Sequence, residues 1–98
     1  MREPEYQARL IKKLHARFPG CIILKNDSGY VQGVPDLTIF FYNQWAMLEV
    51  KISADAPEQP NQRYYVEKAE GMSFAAFIYP ENEEEVLDGL QLAFSTGR

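Results

Sequence analysis

The chain lacks most of the features that mark secreted and membrane proteins. Its 98 residues include a single cysteine, so no disulfide can form within the chain. They contain no apolar run long enough to span a bilayer, and the charged start MREPEYQARL does not resemble a signal peptide. Repeats and low-complexity segments are also missing. We therefore expect one domain over residues 1–98, cytoplasmic and without membrane attachment, with Cys21 as a buried strand residue.

Positive charge is scarce overall but is concentrated near the start of the chain. The net charge is −4, with 10 lysines and arginines against 14 aspartates and glutamates. Six of the basic residues fall within the first 25 positions, whereas residues 81–88 carry five acidic ones. A protein that is acidic overall can still bind phosphate at one basic surface. A solvated helix face is the alternative explanation of the basic cluster.

Hydrophobic periodicity predicts the element order α-β-β-β-α-β-α, which corresponds to an α/β fold with a mixed sheet. Residues 3–18 show an amphipathic pattern that Pro19-Gly20 ends. Apolar and β-branched runs predict strands, and helical periodicity predicts two more helices. The predicted strands are 21–25, 34–42, 45–52 and 73–79, and the predicted later helices are 61–70 and 83–94.

Two short motifs stand at the ends of the hairpin formed by the second and third predicted strands. GVPD occupies positions 33–36, and EVK begins thirteen residues after its aspartate, at positions 49–51. Because side chains alternate along a strand, Asp36, Glu49 and Lys51 are predicted to share one face. Two carboxylates and an ammonium at one place suit a divalent metal held against a phosphate. The alternative is a salt bridge from Lys51 to one of the carboxylates at the sheet edge.

The register of the hairpin follows from its predicted turn. With a two-residue turn at Asn43-Gln44, Asp36 lies opposite Lys51 and Thr38 lies opposite Glu49. A longer loop would shift this register.

The sequence GVPD followed by E-x-K resembles the core pattern of the VRR-NUC family, within the PD-(D/E)xK nuclease superfamily. Weaker similarities extend over most of the chain. They are Glu3 with Gln7 in the first helix, then Asn26, Ser28 and Gly29, then Gln62 and Gly71 at the two ends of the following helix. The run Ala54–Pro60 departs from the family pattern and supplies a second glutamine, Gln59. Gln59 and Gln62 therefore compete for one family position, as do Glu3 and Glu5.

The resemblance implies a restriction-endonuclease-like core and a deoxyribonuclease that depends on Mg²⁺ or Mn²⁺. The expected catalytic residues are Glu3, Asp36, Glu49, Lys51 and Gln62. We expect Asp36, Glu49 and the backbone carbonyl of Val50 to bind the metal. Lys51 is expected beside the attacking water, and Gln62 is expected to fix Lys51. Glu3 is a candidate for holding a second metal or a metal-bound water. The alternative is that Glu3 only interacts favourably with the N-terminus of its helix. Candidate DNA contacts are Lys25, Ser28 and Arg63.

The substrate expected from the resemblance is DNA with a branched structure, such as a four-way junction, cut by a homodimer in a bacterial or phage-infected cell. A two-fold dimer would supply the two symmetric cuts that resolve a junction. A catalytically silent module that binds DNA or a protein is the alternative. A further alternative is a structural protein in which Asp36, Glu49 and Lys51 only form ion pairs.

Overall fold

The computed structural model describes residues 1–96. Its helices are α1 (Glu3–Arg17), α2 (Gln62–Glu70) and α3 (Glu83–Thr96), and its strands are β1 (Ile22–Lys25), β2 (Leu37–Phe41), β3 (Gln44–Val50) and β4 (Phe74–Ile78). The predicted order and the mixed α/β class are confirmed. Among residues 1–96, no helix combines the length and the apolar character needed to cross a membrane.

The four strands form one sheet in the order β1-β2-β3-β4. The first two pairs are antiparallel, whereas β3 and β4 run parallel. Parallel neighbours need a crossover connection, and α2 lies within it. The carboxyl end of β3, where EVK lies, is therefore followed directly by the loop that leads into α2.

Helices α1 and α3 cover one face of the sheet and enclose the main core. Leu10 and Leu14 of α1 and Leu90 of α3 are fully buried there, together with Leu37 and Leu48 from the hairpin. Helix α2 covers the other face only in part, where Val66 and Ala69 pack with Ala75 of β4. Cys21 is buried, as predicted, but it lies just before β1 and not within the strand.

A buried carboxylate joins α1 to α3. Glu83 is 7% exposed, and it accepts hydrogen bonds from the Tyr6 hydroxyl at 2.9 Å and the Lys13 ammonium at 2.5 Å. Burial and the contact with Glu83 raise the pKa of the Tyr6 phenol. Burying a carboxylate is costly unless it is paired, so the hydrogen bonds from Tyr6 and Lys13 offset the cost of burying Glu83.

The predicted hairpin turn was wrong by one position, and the register was wrong by two. Phe41 pairs with Gln44, so the turn holds Tyr42 and Asn43, with Tyr42 at a φ of +58°. Phe41 is held in its strand by edge-on contacts with Phe18 at a ring distance of 5.5 Å, among other aromatic neighbours. Core packing therefore overrides the preference of asparagine for the first turn position. A shift of two residues leaves every side chain on its predicted face.

Candidate active site

Asp36 is positioned by Asn26, which follows β1. The Asn26 amide nitrogen donates to the Asp36 carbonyl at 2.8 Å. The Asn26 side chain donates to the Pro35 carbonyl at 2.9 Å and to the Thr38 hydroxyl at 2.8 Å. The backbone is thus fixed on both sides of Asp36. The Asp36 carboxylate in turn accepts from the backbone nitrogen of Val50 at 2.9 Å, so it reaches the end of β3.

Glu49 is the most deeply buried carboxylate of the described residues, at 2% exposure. Continuing the observed register places it opposite Asp36. Its Oε2 accepts from the Gln62 amide at 2.9 Å, but its buried Oε1 has no hydrogen-bond donor. Burial raises the pKa of Glu49 to about 8, and the adjacent charge of Asp36 and a hydrogen bond between the two carboxyl groups contribute.

Glu49 Oε1 lacks a hydrogen-bond donor in its buried position. Ionised carboxylates only accept hydrogen bonds, so Asp36 cannot satisfy Glu49 when both are charged. A proton shared between the two groups would supply the bond that raises the pKa of Glu49. A cation placed between them would meet the same need by neutralising both.

Lys51 is buried at 6% exposure, yet it forms no direct ion pair with either carboxylate. Its ammonium donates to Gln62 Oε1 at 2.6 Å and to the Pro57 carbonyl at 3.0 Å. Both acceptors are neutral, and no N–O distance of 4 Å or less joins Lys51 to Asp36 or Glu49. The salt bridge considered from the sequence is therefore not formed. The ammonium remains close enough to lower the pKa of Glu49 against the effects that raise it.

Gln62, the first residue of α2, bridges the acidic and basic parts of the site. Its amide nitrogen donates to Glu49, and its amide oxygen accepts from Lys51 at 2.6 Å. The same oxygen accepts from the backbone nitrogen of Gln59 at 2.8 Å. The Gln59 residue is exposed and contributes its main chain. Of the two candidate glutamines, the structure therefore brings the side chain of Gln62 into the cluster.

A close backbone contact sets the position of α2 against the GVPD loop. Gly33 has a φ of +90°, and a β-carbon there would lie 2.6 Å from Cβ of Asn61 and 2.8 Å from the Pro60 carbonyl oxygen. Real β-carbons do not approach other atoms so closely, so only glycine fits. Asn61 itself is left-handed, with a φ of +70°, and Gln62 follows it. The role of Gly33 in placing Gln62 was not predicted from the sequence.

Of the two candidate glutamates on α1, Glu3 is exposed but lies close enough for its charge to interact with Asp36, Glu49 and Lys51. Burial raises the pKa of Glu3, the charge of Asp36 raises it further, and Lys51 opposes both. Glu5 instead pairs with Arg2 at 3.3 Å on the surface, where its side chain is 58% exposed. The structure thus brings Asp36, Glu49, Lys51 and Gln62 together by hydrogen bonds and strand register, and Glu3 interacts with this group only through its charge.

The three candidate DNA contacts are all exposed, and they differ in surroundings. Lys25 is exposed on the edge strand and pairs with Leu37, the residue after Asp36. Ser28 is exposed in the loop between β1 and β2. Arg63 follows Gln62, pairs with Glu58 and lies over the Phe77 ring at 5.0 Å. Their contact with DNA stays a prediction.

The donor atoms of the cluster suit a hard cation. Within residues 1–96, no three or more histidine, cysteine, aspartate or glutamate side chains converge closely enough to form a complete metal cage. Mg²⁺ uses one or two carboxylates and keeps several waters, so Asp36 and Glu49 are sufficient in number. The unpartnered oxygen of Glu49 is a ligand of the required type. The Val50 carbonyl stays a predicted third ligand.

Comparison of the chain with protein-family models, with curated proteins and with solved structures gave no match. The resemblance to VRR-NUC domains therefore remains that of the GVPD and EVK motifs and their flanking residues.

Proposed function

We propose that this chain is a metal-dependent deoxyribonuclease of the VRR-NUC type, which hydrolyses phosphodiester bonds with Mg²⁺ or Mn²⁺. One observation carries the proposal: Glu49 Oε1 is buried without a donor beside Asp36, next to Lys51, which forms no ion pair with a carboxylate of residues 1–96. A cation satisfies the carboxylates, and a phosphate satisfies the ammonium. A purely structural ion-pair cluster would instead join Lys51 to Asp36 or Glu49.

Each residue of the proposed site has a role that follows from its chemistry. Asp36 and Glu49 hold the metal, with the Val50 carbonyl as a third ligand. The bound cation supplies charge neutralisation at the phosphate and Lewis acidity. Glu3 adds negative charge at the edge of this cluster, where a second cation or a water of the first would be held.

Lys51 is oriented for contact with the reacting phosphate or with the attacking water. An ammonium has three hydrogens to donate, and two are taken by Gln62 and the Pro57 carbonyl. The third is available for an oxygen of the substrate. Because both partners accept hydrogen bonds from it, they fix the direction of the ammonium, which can then stabilise negative charge that develops on the phosphate. Gln62 holds Lys51 and Glu49 at a constant separation.

DNA with a branched structure is the proposed substrate, and a homodimer is the proposed cutting form. Strand β1 lies at the sheet edge, where Ile22 is 60% and Leu24 48% exposed. Phe40, which pairs with Ile22 on the same face, is 41% exposed. Exposed apolar patches often mark protein interfaces, and a second copy across this edge would supply the second active site for a four-way junction.

We further propose that the protein acts in the cytoplasm of a bacterial or phage-infected cell. The single buried cysteine is compatible with a reducing compartment.

The test is cleavage of a labelled four-way junction, matched duplex and single strand, with Mg²⁺, Mn²⁺ or chelator. Lys51→Ala is the inactive variant, and Lys68→Ala, an exposed lysine on α2, is the matched control. Metal-dependent symmetric cuts that Lys51→Ala abolishes and Lys68→Ala retains are expected. Equal cutting of all substrates would retain the nuclease and remove the junction preference. Binding of the junction without cutting by the wild type would favour the silent accessory module.

Metal binding is measured separately by thermal unfolding. Mg²⁺ or Mn²⁺ is expected to raise the unfolding temperature of the wild type but not of Asp36→Asn. An equal rise in both proteins would contradict the assigned ligands.

A further inference from the structure

A cavity of about 140 Å³ opens beside Lys51 on the side of the sheet that α2 covers. Its walls include polar or charged groups from the loop and α2, and aromatic rings from β4 and the residue after it. They are Lys51, Ser53, Glu58, Arg63, Phe77 and Tyr79. The cavity therefore shares one wall, Lys51, with the proposed active site.

The parallel pairing of β3 and β4 explains why the cavity adjoins the site. Glu49 is the register partner of Phe77, and the next same-face pair continues this alignment with Lys51 beside Tyr79. Neighbouring strands are about 4.8 Å apart, so the two aromatic residues stand one strand away from the two catalytic ones. A group that enters the cavity would lie next to Lys51, the residue proposed to contact the phosphate.

The lining is of the kind that stacks on planar rings. The guanidinium of Arg63 lies 5.0 Å from the centre of the Phe77 ring, and Glu58 holds it there by an ion pair. Aromatic rings and arginine are the groups on which proteins stack unpaired bases. Glu58 and the Ser53 hydroxyl add acceptors at the rim for the amino or imino edge of a base.

The size of the cavity restricts what can enter. An engineered cavity of about 150 Å³ is known to hold a benzene molecule. At about 140 Å³, the cavity beside Lys51 fits one six-membered ring, which is the size of a pyrimidine base. The fused rings of a purine would extend beyond it.

We propose that this cavity receives a pyrimidine base, turned out of the helix, from the nucleotide next to the scissile phosphate. This inference rests on the proposed nuclease function and adds a source of selectivity to it. Extruding a base from intact duplex costs a few kcal/mol, and the cost is smaller where the base is already unpaired. Cleavage would then be favoured at branch points that offer a loose pyrimidine.

The experiment replaces each nucleotide flanking the cut, one at a time, with a pyrimidine, a purine or an abasic residue. At one position on one side of the cut, we expect the wild type to cleave the pyrimidine substrate roughly tenfold faster than the other two, from lost stacking. Tyr79→Ala is expected to cut all three at the slow rate, whereas Tyr79→Phe keeps the preference. Tyr64→Ala, a 57% exposed tyrosine on α2 outside the cavity, is the control and also keeps it.

Rates for pyrimidine and abasic substrates that agree within about twofold at every position would overturn the inference while leaving the nuclease intact.

A binding measurement separates failure of the cavity assignment from failure of the proposed nuclease function. Pyrrolocytosine, a fluorescent pyrimidine, is placed at each flanking position of the junction, and its emission is followed as protein is added in chelator. We expect a change at one position that Tyr79→Ala loses and Tyr79→Phe retains. A change at no position, or one that Tyr79→Ala retains, overturns the cavity assignment, and an absence of metal-dependent cleavage overturns the nuclease instead.

Discussion

Gly33 and Asn61 touch so closely that a β-carbon at position 33 would lie 2.6 Å from Cβ of Asn61. The contact joins the GVPD loop to the first turn of α2 as one unit. Gln62, which bridges Glu49 and Lys51, follows Asn61 directly. The spacing between the acidic and basic parts of the site is therefore set by a glycine that makes no contribution of its own to the chemistry.

Gly33→Ala is expected to displace the start of α2 and to weaken both activity and stability. Gly20→Ala is the matched control, because Gly20 has a φ of +89° but nothing within 4 Å of an added β-carbon. The left-handed backbone costs both variants about 1–2 kcal/mol. Overpacking adds about 1–3 kcal/mol at position 33 alone. Urea unfolding measures both values, and equal losses in the two variants would contradict the role assigned to the contact.

Gln62→Ala is expected to reduce metal-dependent cleavage by about 10- to 100-fold, the usual cost of losing a group that orients catalytic residues. Gln59→Ala is expected to cleave like the wild type, because its backbone nitrogen still donates to Gln62. The measurement is the cleavage rate of each variant, compared at matched thermal stability. A larger loss in Gln59→Ala than in Gln62→Ala would reverse the assignment.

Glu49 should make the metal-free protein less stable as the pH rises. Its pKa is 4.5 in an unperturbed chain and about 8 in the fold. Between those values the folded state binds more protons than the unfolded state, so the free energy of unfolding falls with increasing pH. The raised pKa of Glu3 acts in the same direction.

Glu49→Gln is expected to be increasingly more stable than the wild type across that pH range in chelator. Adding Mg²⁺ is expected to stabilise the wild type progressively with pH, because the cation replaces the proton, and to leave Glu49→Gln unchanged. Denaturant unfolding at several pH values tests both trends. A constant stability difference between the two proteins would show that Glu49 ionises normally in the fold.

Glu3→Gln is expected to lower the pKa of Glu49, since it removes one of the charges that raise it. The loss of nearby negative charge is also expected to weaken metal affinity by about 10- to 100-fold. Glu5→Gln, which only breaks a surface pair with Arg2, should leave both properties unchanged. NMR titration of the side-chain carboxyl groups and metal-dependent thermal shifts measure the two effects. Equal behaviour of the two variants would exclude Glu3 from the cluster.

The sequence was sufficient to predict the elements and the faces of the hairpin, because both depend on local periodicity. It was insufficient for the register, which Phe41 sets through distant contacts with Phe18 and Phe94. The error was harmless to the site, since a shift of two residues keeps the side chains of Asp36 and Glu49 on the same face.

The sequence pattern could not predict the contacts that support the site. Asn26 makes hydrogen bonds on both sides of Asp36, and Gly33 lies against Asn61. Both interactions join segments that meet only in the folded chain. Nor does any periodicity distinguish Gln62 from Gln59, whose different roles follow from which of them is the first residue of α2.

The link between α1 and α3 has a consequence for the newly made protein. Glu3 is carried by α1, and α1 is held in place partly by Glu83 at the start of α3, which is synthesised after the other described elements. A chain without α3 leaves Tyr6 and Lys13 without this partner. For the proposed nuclease, a growing chain would thus hold Glu3 less firmly near the other carboxylates until synthesis had passed the third helix.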